Sequence, residues 1–239
     1  MSYLNTRPLL FGFHGHPVSE NILLSENYPS KIASMLLADE IDIGLVPVAI
    51  LPRLKEYHLI SDFCIGCDGP VASVALFGDV PLDEMEIILL DYQSRTSVML
   101  LRLLLRDHWK RTPILRDAGA EDFRDQINGR TGGLVIGDRA FDQARRSPVM
   151  YDLGQAWKEH TGLPFVFATW VANKPIDPDF IRSFNDANAI GLGKLDVVAA
   201  AHPTAGFDLL HYYRYNLNYP FDEVKHHAME KFLSGIADF

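Results

Sequence analysis

The chain has 239 residues, of which 48% are hydrophobic and 22% are charged, and its formal net charge is −9. This composition is typical of a folded globular protein, which at this length forms one large domain or two small lobes. The negative charge argues against nucleic acid and against an anionic membrane surface as partners, because both attract basic proteins. The sequence contains no run of eighteen apolar residues and no secretory signal pattern, so we expect a cytoplasmic protein.

The first half of the chain alternates between helix-like and strand-like segments. Apolar residues at helical spacing follow Pro29, and short buried strands are predicted at 41–46 and 58–65. The next segments are an apolar run at 71–77, a strand at 86–91 and a long apolar helix that begins after the turn YQSRTS.

The second half continues the alternation. The segment GGLVIGD predicts a strand that ends in a turn, and the helix-like RAFDQARR follows it. A further helix ends at Thr161 and Gly162, before a second long apolar strand at Phe165–Ala172. Helical spacing then covers 179–201, and an amphipathic helix is predicted at 222–233.

This order of elements indicates the α/β class. The two long apolar strands divide the chain into a first lobe, residues 1–73 plus 173–239, and a second lobe, residues 74–172. Two strands that cross between lobes form a hinge with a ligand cleft, which is the architecture of type 2 periplasmic binding proteins. A single doubly wound sheet fits the same pattern nearly as well.

The turn Ser94-Arg95-Thr96-Ser97 is the most informative polar segment, because it follows a strand and precedes the long apolar helix. Free backbone N–H groups, hydroxyls and a guanidinium at a helix N-terminus form an anion site. The same hydroxyls could instead cap the helix. One turn can do both.

Three other polar residues interrupt or end strand-like segments. Asn5 lies in SYLNTRP, which is either a loop that lines a cleft or a frayed terminus. Ser73 interrupts the apolar run GPVASV and either bonds to nearby backbone or faces the cleft. Asp138 follows a strand in VIGD and either caps the next helix or faces a ligand.

Other conspicuous residues indicate no chemistry. Cys64 and Cys67 are too few for a zinc site or a disulfide scaffold, and we interpret them as buried thiols rather than a redox pair. His14 and His16 have no partner at a convincing metal-ligand spacing, so no metal site is predicted. No nucleotide-binding or serine-hydrolase motif is present. Four tyrosines near the C-terminus are interpreted as packing: Tyr212, Tyr213, Tyr215 and Tyr219.

Several long segments resemble the menaquinone-biosynthesis family of chorismate dehydratases. They are SYLNTRPL, PSKIASMLLADEIDIGLVPV, DYQSRTSVMLLRLLL, GLVIGDRAF and YDLGQAWKEHTGLPFVFATWVANK. The resemblance runs in order from Ser2 to about Gly191 and is closer than the resemblance to the related 1,4-dihydroxy-6-naphthoate synthase. Family members carry a short apolar strand before SYLN, where this sequence has only Met1. We therefore expect either a start placed too late or a missing strand that leaves Asn5 on a loose end.

The resemblance implies a type 2 periplasmic-binding-protein fold used as an enzyme, without metal or cofactor. It implies dehydration of chorismate to 3-[(1-carboxyvinyl)oxy]benzoate, at the start of the futalosine route to menaquinone. The motifs that carry the resemblance assign catalytic roles to Asn5 and Ser73 and substrate binding to five residues. These five are Ser94, Arg95, Thr96, Ser97 and Asp138.

The general base is either Asp138 or the enolpyruvyl carboxylate of the substrate, and we favour the substrate. Asn5 and Ser73 are poor bases at neutral pH and are expected to orient the substrate. Two other functions share the expected fold, namely a small-carboxylate binding protein without activity and the naphthoate synthase.

Overall fold

The computed structural model describes residues 3–119 and 121–239. Its strands are β1 (Ile43–Pro47), β2 (His58–Cys67), β3 (Val74–Gly78), β4 (Ile87–Leu90), β5 (Ile114–Asp117), β6 (Thr131–Ile136), β7 (Val149–Asp152) and β8 (Phe165–Ala172). Its α-helices are α1 (Arg7–Phe11), α2 (Pro29–Leu37), α3 (Thr96–Asp107), α4 (Asp138–Arg146), α5 (Leu153–Thr161), α6 (Pro178–Leu192), α7 (Leu195–Ala201), α8 (Leu209–His211) and α9 (Glu223–Gly235). The predicted α/β class is confirmed. The expectation about Met1 and the missing strand lies outside the described residues.

The first sheet has the strand order β1-β8-β2 within the described residues, and both neighbours run antiparallel to β8. All eight residues of β8 are buried. Its sequence, FVFATWVA, is rich in aromatic and β-branched residues, which suits a central strand covered on both faces.

The second sheet has the order β5-β4-β6-β3-β7 in the described part of the chain. Strand β4 is parallel to β5 and β6, whereas β3 is antiparallel to β6 and β7, so the sheet is mixed. Helix α3 buries a row of leucines and packs against β6 of the second sheet and β8 of the first. Because these strands form two sheets, the alternative of one doubly wound sheet is wrong.

The chain passes between the sheets through connecting segments. Residues 68–73 lead from β2 to β3, and α5 with residues 162–164 leads from β7 back to β8. The sequence-based division placed β8 in the second lobe, whereas its pairing places it in the first sheet. Neither β3 nor β8 pairs in both sheets, so the connections and not these strands cross between them. Two lobes hinged at these connections remain a proposal.

Two strands were missed because their sequences lack buried alternation. Strands β5 and β7 lie at the two edges of the second sheet, and most of their residues are only partly buried or exposed. The helix predicted at 179–201 is divided into α6 and α7 at Gly193 and Lys194. In the described ranges, no helix has the length and apolar character that crossing a membrane requires.

Candidate functional site

A cavity of about 790 Å³ is lined by residues of both sheets. Strands β1 and β8 of the first sheet and β3 and β6 of the second contribute apolar side chains, among them Phe167, Trp170 and Val74. The polar lining includes five of the seven predicted site residues, which are Asn5, Ser73, Ser94, Thr96 and Ser97. Arg95 and Asp138 are not part of this lining.

Asn5 lies in a single 3₁₀ turn, Leu4–Thr6, whose backbone is held from three sides. The Tyr219 hydroxyl donates to the Asn5 carbonyl at 3.0 Å, and the Tyr213 hydroxyl donates to the Leu4 carbonyl at 2.9 Å. The Leu4 N–H donates to Asp138 Oδ1 at 3.0 Å. Asn5 is therefore not on a loose end.

The Asn5 side chain lines the cavity, and its Oδ1 is buried without a hydrogen-bond partner among the described residues. Buried polar groups are normally paired, so an unpaired one calls for a specific explanation, such as a catalytic role or a bound water or ion. The amide is therefore available to a ligand in the cavity.

Ser73 is 1% exposed and lies just before β3, where the chain enters the second sheet. Its Oγ accepts a hydrogen bond from the Tyr212 hydroxyl at 2.7 Å, and its carbonyl accepts from the Gly137 N–H at 2.8 Å. The preceding Ala72 has φ of +62°, a left-handed conformation that costs energy for any residue with a side chain.

Asp152 holds this strained connection. Its carboxylate accepts from the N–H groups of Val71 at 3.0 Å and Ala72 at 2.7 Å. It also accepts from Gly154 at 2.9 Å and Gln155 at 3.1 Å, as the N-cap of α5. One carboxylate thus joins both connections between the sheets and positions Ser73.

The tyrosine cluster does more than the predicted packing. Tyr212, Tyr213 and Tyr219 are buried, and each hydroxyl bonds to Ser73, Leu4 or Asn5. Tyr215 is 72% exposed and takes no part. Because a buried tyrosine hydroxyl needs a hydrogen-bond partner, several tyrosines in one segment are a sequence signal for such contacts.

The turn before α3 both caps the helix and lines the cavity. Ser94 Oγ accepts from the Ser97 N–H at 3.0 Å, and Thr96 Oγ1 accepts from the Ala49 N–H at 3.2 Å. These bonds fix the positive end of the helix dipole beside the cavity, where it favours an anion. The two roles that the sequence left open for this turn, a helix cap and an anion site, are therefore compatible.

Arg95 points away from this cavity. It lines a second, smaller cavity of about 410 Å³ with Ser30, Lys31 and Ser34, and its Nη2 donates to Ser34 Oγ at 3.2 Å. Successive residues at the start of a helix project in different directions, so Arg95 and Thr96 line different cavities, whereas Ser94 lines both. Arg95 is not part of the main cavity lining, and its predicted contact with the substrate stays a prediction.

Asp138 also lies outside the cavity lining, and its predicted contact with the ligand stays a prediction. It is the first residue of α4, after the N-cap Gly137, and its carboxylate accepts from the Leu4 N–H. Burial raises the pKa of Asp138, and the Leu4 N–H and the charges of Arg7 and Arg139 oppose that rise. Asp138 positions the segment that carries Asn5.

Asp138→Asn is expected to stabilise the protein at neutral pH and to leave most of its function intact. A carboxyl whose pKa is raised in the folded state favours folding below its unfolded pKa, near 3.8, and this contribution is lost as the pH rises through the folded pKa. Asparagine stays neutral and still offers an oxygen to the Leu4 N–H. Thermal melts from pH 3.5 to 8 should show a gain in Tm that grows with pH. A gain that is the same at every pH would contradict this assignment.

A buried ion pair at the strand ends was missed by sequence reasoning. Arg139 Nη2 donates to both carboxylate oxygens of Asp91, at 2.9 and 2.7 Å, and Asp91 also accepts from the Ile136 N–H at 3.1 Å. The Tyr3 hydroxyl accepts from Arg139 at 3.3 Å and donates to the Gln93 side chain. This pair fixes Tyr3 against the cavity wall.

Gly137 makes this arrangement sterically possible. Its φ is +65°, and a Cβ there would lie 2.4 Å from the ring of Tyr3. Only glycine therefore allows the close approach of Tyr3 to the end of β6.

The cysteines and histidines contribute no site. Cys64 and Cys67 are free and buried, and burial raises the pKa of both thiols, that of Cys64 to about 12. The interpretation as buried thiols is therefore confirmed. Buried thiols with a raised pKa are unreactive at neutral pH. His16 Nδ1 accepts from the Val18 N–H at 3.2 Å. Residues 3–119 and 121–239 contain no group of three His, Cys, Asp or Glu side chains placed to hold a metal ion.

One antiparallel sheet and one mixed sheet are flanked by helices, and residues of both sheets line a cavity with polar and apolar walls. This arrangement defines an α/β protein of the periplasmic-binding-protein-like class. The chain belongs to the menaquinone-biosynthesis family, whose model matches residues 1–238. It is 28% identical to the chorismate dehydratase of Thermus thermophilus, over 98% of this chain and 92% of that protein. The family that the motifs predicted is confirmed.

Two solved structures agree with this fold. A protein of Archaeoglobus fulgidus is similar with a TM-score of 0.73 at 13% identity, covering 99% of this chain and 94% of that one. An ABC transporter protein of Parabacteroides distasonis is similar with a TM-score of 0.63 at 16% identity, covering 98% and 89%. At these identities the likeness shows the fold alone.

Proposed function

We propose that this protein is a cytoplasmic chorismate dehydratase that converts chorismate to 3-[(1-carboxyvinyl)oxy]benzoate and water, in the futalosine route of menaquinone biosynthesis. The observation that carries the proposal is the Asn5 amide oxygen, which has no hydrogen-bond partner within residues 3–119 and 121–239 and lies in one cavity with Ser73 and the N-terminus of α3. The family and the dehydratase of Thermus thermophilus support it.

Chorismate carries two carboxylates, and the protein carries a net charge of −9, so binding needs focused donors. The start of α3 offers such a place, because Ser94, Thr96 and Ser97 line the cavity at the N-terminus of this helix. We assign one substrate carboxylate to this end of the cavity. The apolar side chains of Phe167 and Val74 suit the carbocyclic ring.

The dehydration breaks a C–H bond at the ring carbon that bears the enolpyruvyl ether and the C–O bond of the neighbouring hydroxyl. The electron pair of the C–H bond completes the aromatic ring, and the hydroxyl leaves as water after it receives a proton. A base must therefore take one proton, and that proton can serve the departing hydroxyl.

The structure disfavours Asp138 as that base, because its carboxylate contacts the Leu4 N–H and lies outside the cavity lining. The acidic residues that do line the cavity are all exposed: Glu26, Glu40, Asp42 and Asp177. We assign the base to the enolpyruvyl carboxylate of the substrate, since intramolecular geometry supplies large rate accelerations. Asn5 and Ser73 then orient the substrate.

Closure of the two sheets about the connections at 68–73 and 162–164 would exclude water from the cavity. The carboxylate of Asp152 ties the first connection to the start of α5, so it would move as part of this hinge. This two-lobed closure is part of the proposal.

Initial rates on two substrates test the proposal against its rivals. Purified protein is expected to consume chorismate and to leave cyclic dehypoxanthine futalosine, the substrate of the naphthoate synthase, untouched. Activity on the second compound alone would establish the naphthoate synthase instead. Calorimetric binding of chorismate without any product would establish a binding protein. Loss of turnover in Asp138→Asn with intact affinity would return the role of base to Asp138.

A further inference from the structure

Tyr212 is a buried tyrosine whose hydroxyl reaches the cavity wall. It begins a short π-helical turn, Tyr212–Asn216, and its side chain is 1% exposed. Turns of this kind are rare and are often found at functional sites. Burial raises the pKa of Tyr212, so its hydroxyl remains protonated and must donate. The acceptor that the described residues offer is Ser73 Oγ at 2.7 Å.

The direction of this bond determines what Ser73 can do. A serine hydroxyl has one proton to donate and two lone pairs that accept. Since Oγ accepts from Tyr212, the proton of Ser73 is left for another acceptor. Ser73 lines the cavity and is only 1% exposed, so a ligand oxygen is the natural acceptor.

We propose that Tyr212 is a positioning residue that fixes the Ser73 hydroxyl as a hydrogen-bond donor to an oxygen of the substrate. This inference rests on the proposed function and identifies the residue that orients Ser73. The Tyr212 ring is packed against Phe141 and Phe207, with ring centroids 5.1 and 5.6 Å away. Phenylalanine therefore keeps the packing and removes only the hydroxyl.

Four proteins test the inference: wild type, Tyr212→Phe, Ser73→Ala and the double variant. Tyr212→Phe is expected to lower kcat on chorismate about tenfold to a hundredfold, with little change in KM. The same change in the Ser73→Ala background should have no further effect on kcat, because the group that Tyr212 orients is gone. Tyr151→Phe is the control, since the Tyr151 hydroxyl accepts a hydrogen bond from the Leu82 N–H at 3.0 Å and Tyr151 is not part of the cavity lining. Its kcat should equal that of the wild type.

Thermal melts of the same proteins test the contact without a substrate. Ser73→Ala leaves the buried Tyr212 hydroxyl without an acceptor, which costs stability. The double variant lacks that hydroxyl, so its Tm should be about 2–4 °C higher than that of Ser73→Ala. Additive changes in Tm would overturn the inference, as would wild-type kcat in Tyr212→Phe. If the wild type fails to convert chorismate, the proposed function is wrong, and the Tm coupling alone decides whether Tyr212 orients Ser73.

Discussion

Asn5→Ala is expected to lower kcat on chorismate about 100-fold to 1000-fold, the range found when one polar group that contacts the transition state is removed. The stability of the protein should not fall with it. Asn5 Oδ1 is buried without a partner among the described residues, so alanine removes an unsatisfied group and breaks no hydrogen bond of the side chain. The bonds that Tyr219 and Tyr213 make go to backbone carbonyls and survive the change.

Thr169→Val provides the matched control for Asn5→Ala. Thr169 Oγ1 is also buried and has no partner in the described ranges, but Thr169 is not part of the cavity lining. Valine keeps the shape of threonine, so we expect a gain of about 1 kcal/mol in the free energy of unfolding. Its kcat should be unchanged. An Asn5→Ala variant that keeps full activity, or that loses activity only because it unfolds, would contradict the assigned role.

Asp152→Ala is expected to lower the free energy of unfolding by about 3–5 kcal/mol, the sum of a lost helix cap and two unpaired buried N–H groups. The carboxylate accepts from Val71 and Ala72 on one connection and from Gly154 and Gln155 at the start of α5. Its loss also releases Ala72 from a left-handed conformation. Ser73 is the next residue in the chain, so its hydroxyl should lose its position in the cavity and turnover should fall as well.

The control for Asp152→Ala is Asp222→Ala, because Asp222 caps α9 through the Lys225 N–H at 2.9 Å and accepts no hydrogen bond from a second segment in the described part of the chain. Removing an ordinary cap costs about 1 kcal/mol. Urea unfolding of both variants measures the difference. Equal losses of stability would show that Asp152 acts only as a helix cap and does not hold the connection between the sheets.

The long elements of the fold could be predicted because their apolar patterns are strong. The boundaries of β8 were predicted to the residue, and α3 was expected from its run of leucines. Strand β5 was missed because its residues ILRD lie at an exposed edge, where little apolar burial is required. The sequence-based division grouped β8 with residues 74–172, whereas β8 pairs with β1 and β2, since sequence order does not specify which sheet a strand joins.

The candidate site was also predicted only in part. Asn5 and Ser73 were expected from motifs to line the pocket, and both are part of the cavity lining, Asn5 in the 3₁₀ turn Leu4–Thr6 and Ser73 just before β3. Their catalytic roles stay predictions. Arg95 and Asp138 lie outside that lining and contact Ser34 and the Leu4 N–H instead, because a motif fixes the position of a residue along the chain but not the direction of its side chain.

The residues that hold the site lie far away in sequence. The hydroxyls of Tyr212 and Tyr219 reach partners 139 and 214 positions away, and Asp152 reaches Val71 across 81 positions. Contacts over such separations depend on how the sheets pack, and no local pattern records them. A sequence can indicate that such polar side chains need hydrogen-bond partners when they are buried, but the spacing of the residues does not identify the partners.

The most direct test of the central claim is the mass spectrum of the compound that the wild-type protein forms from chorismate. We predict a single aromatic product that is lighter than chorismate by one water, and its rate of formation should fall in Asn5→Ala and not in Thr169→Val. Chorismate that remains unchanged at high protein concentration, or a product that retains the full mass, would contradict the proposed dehydration.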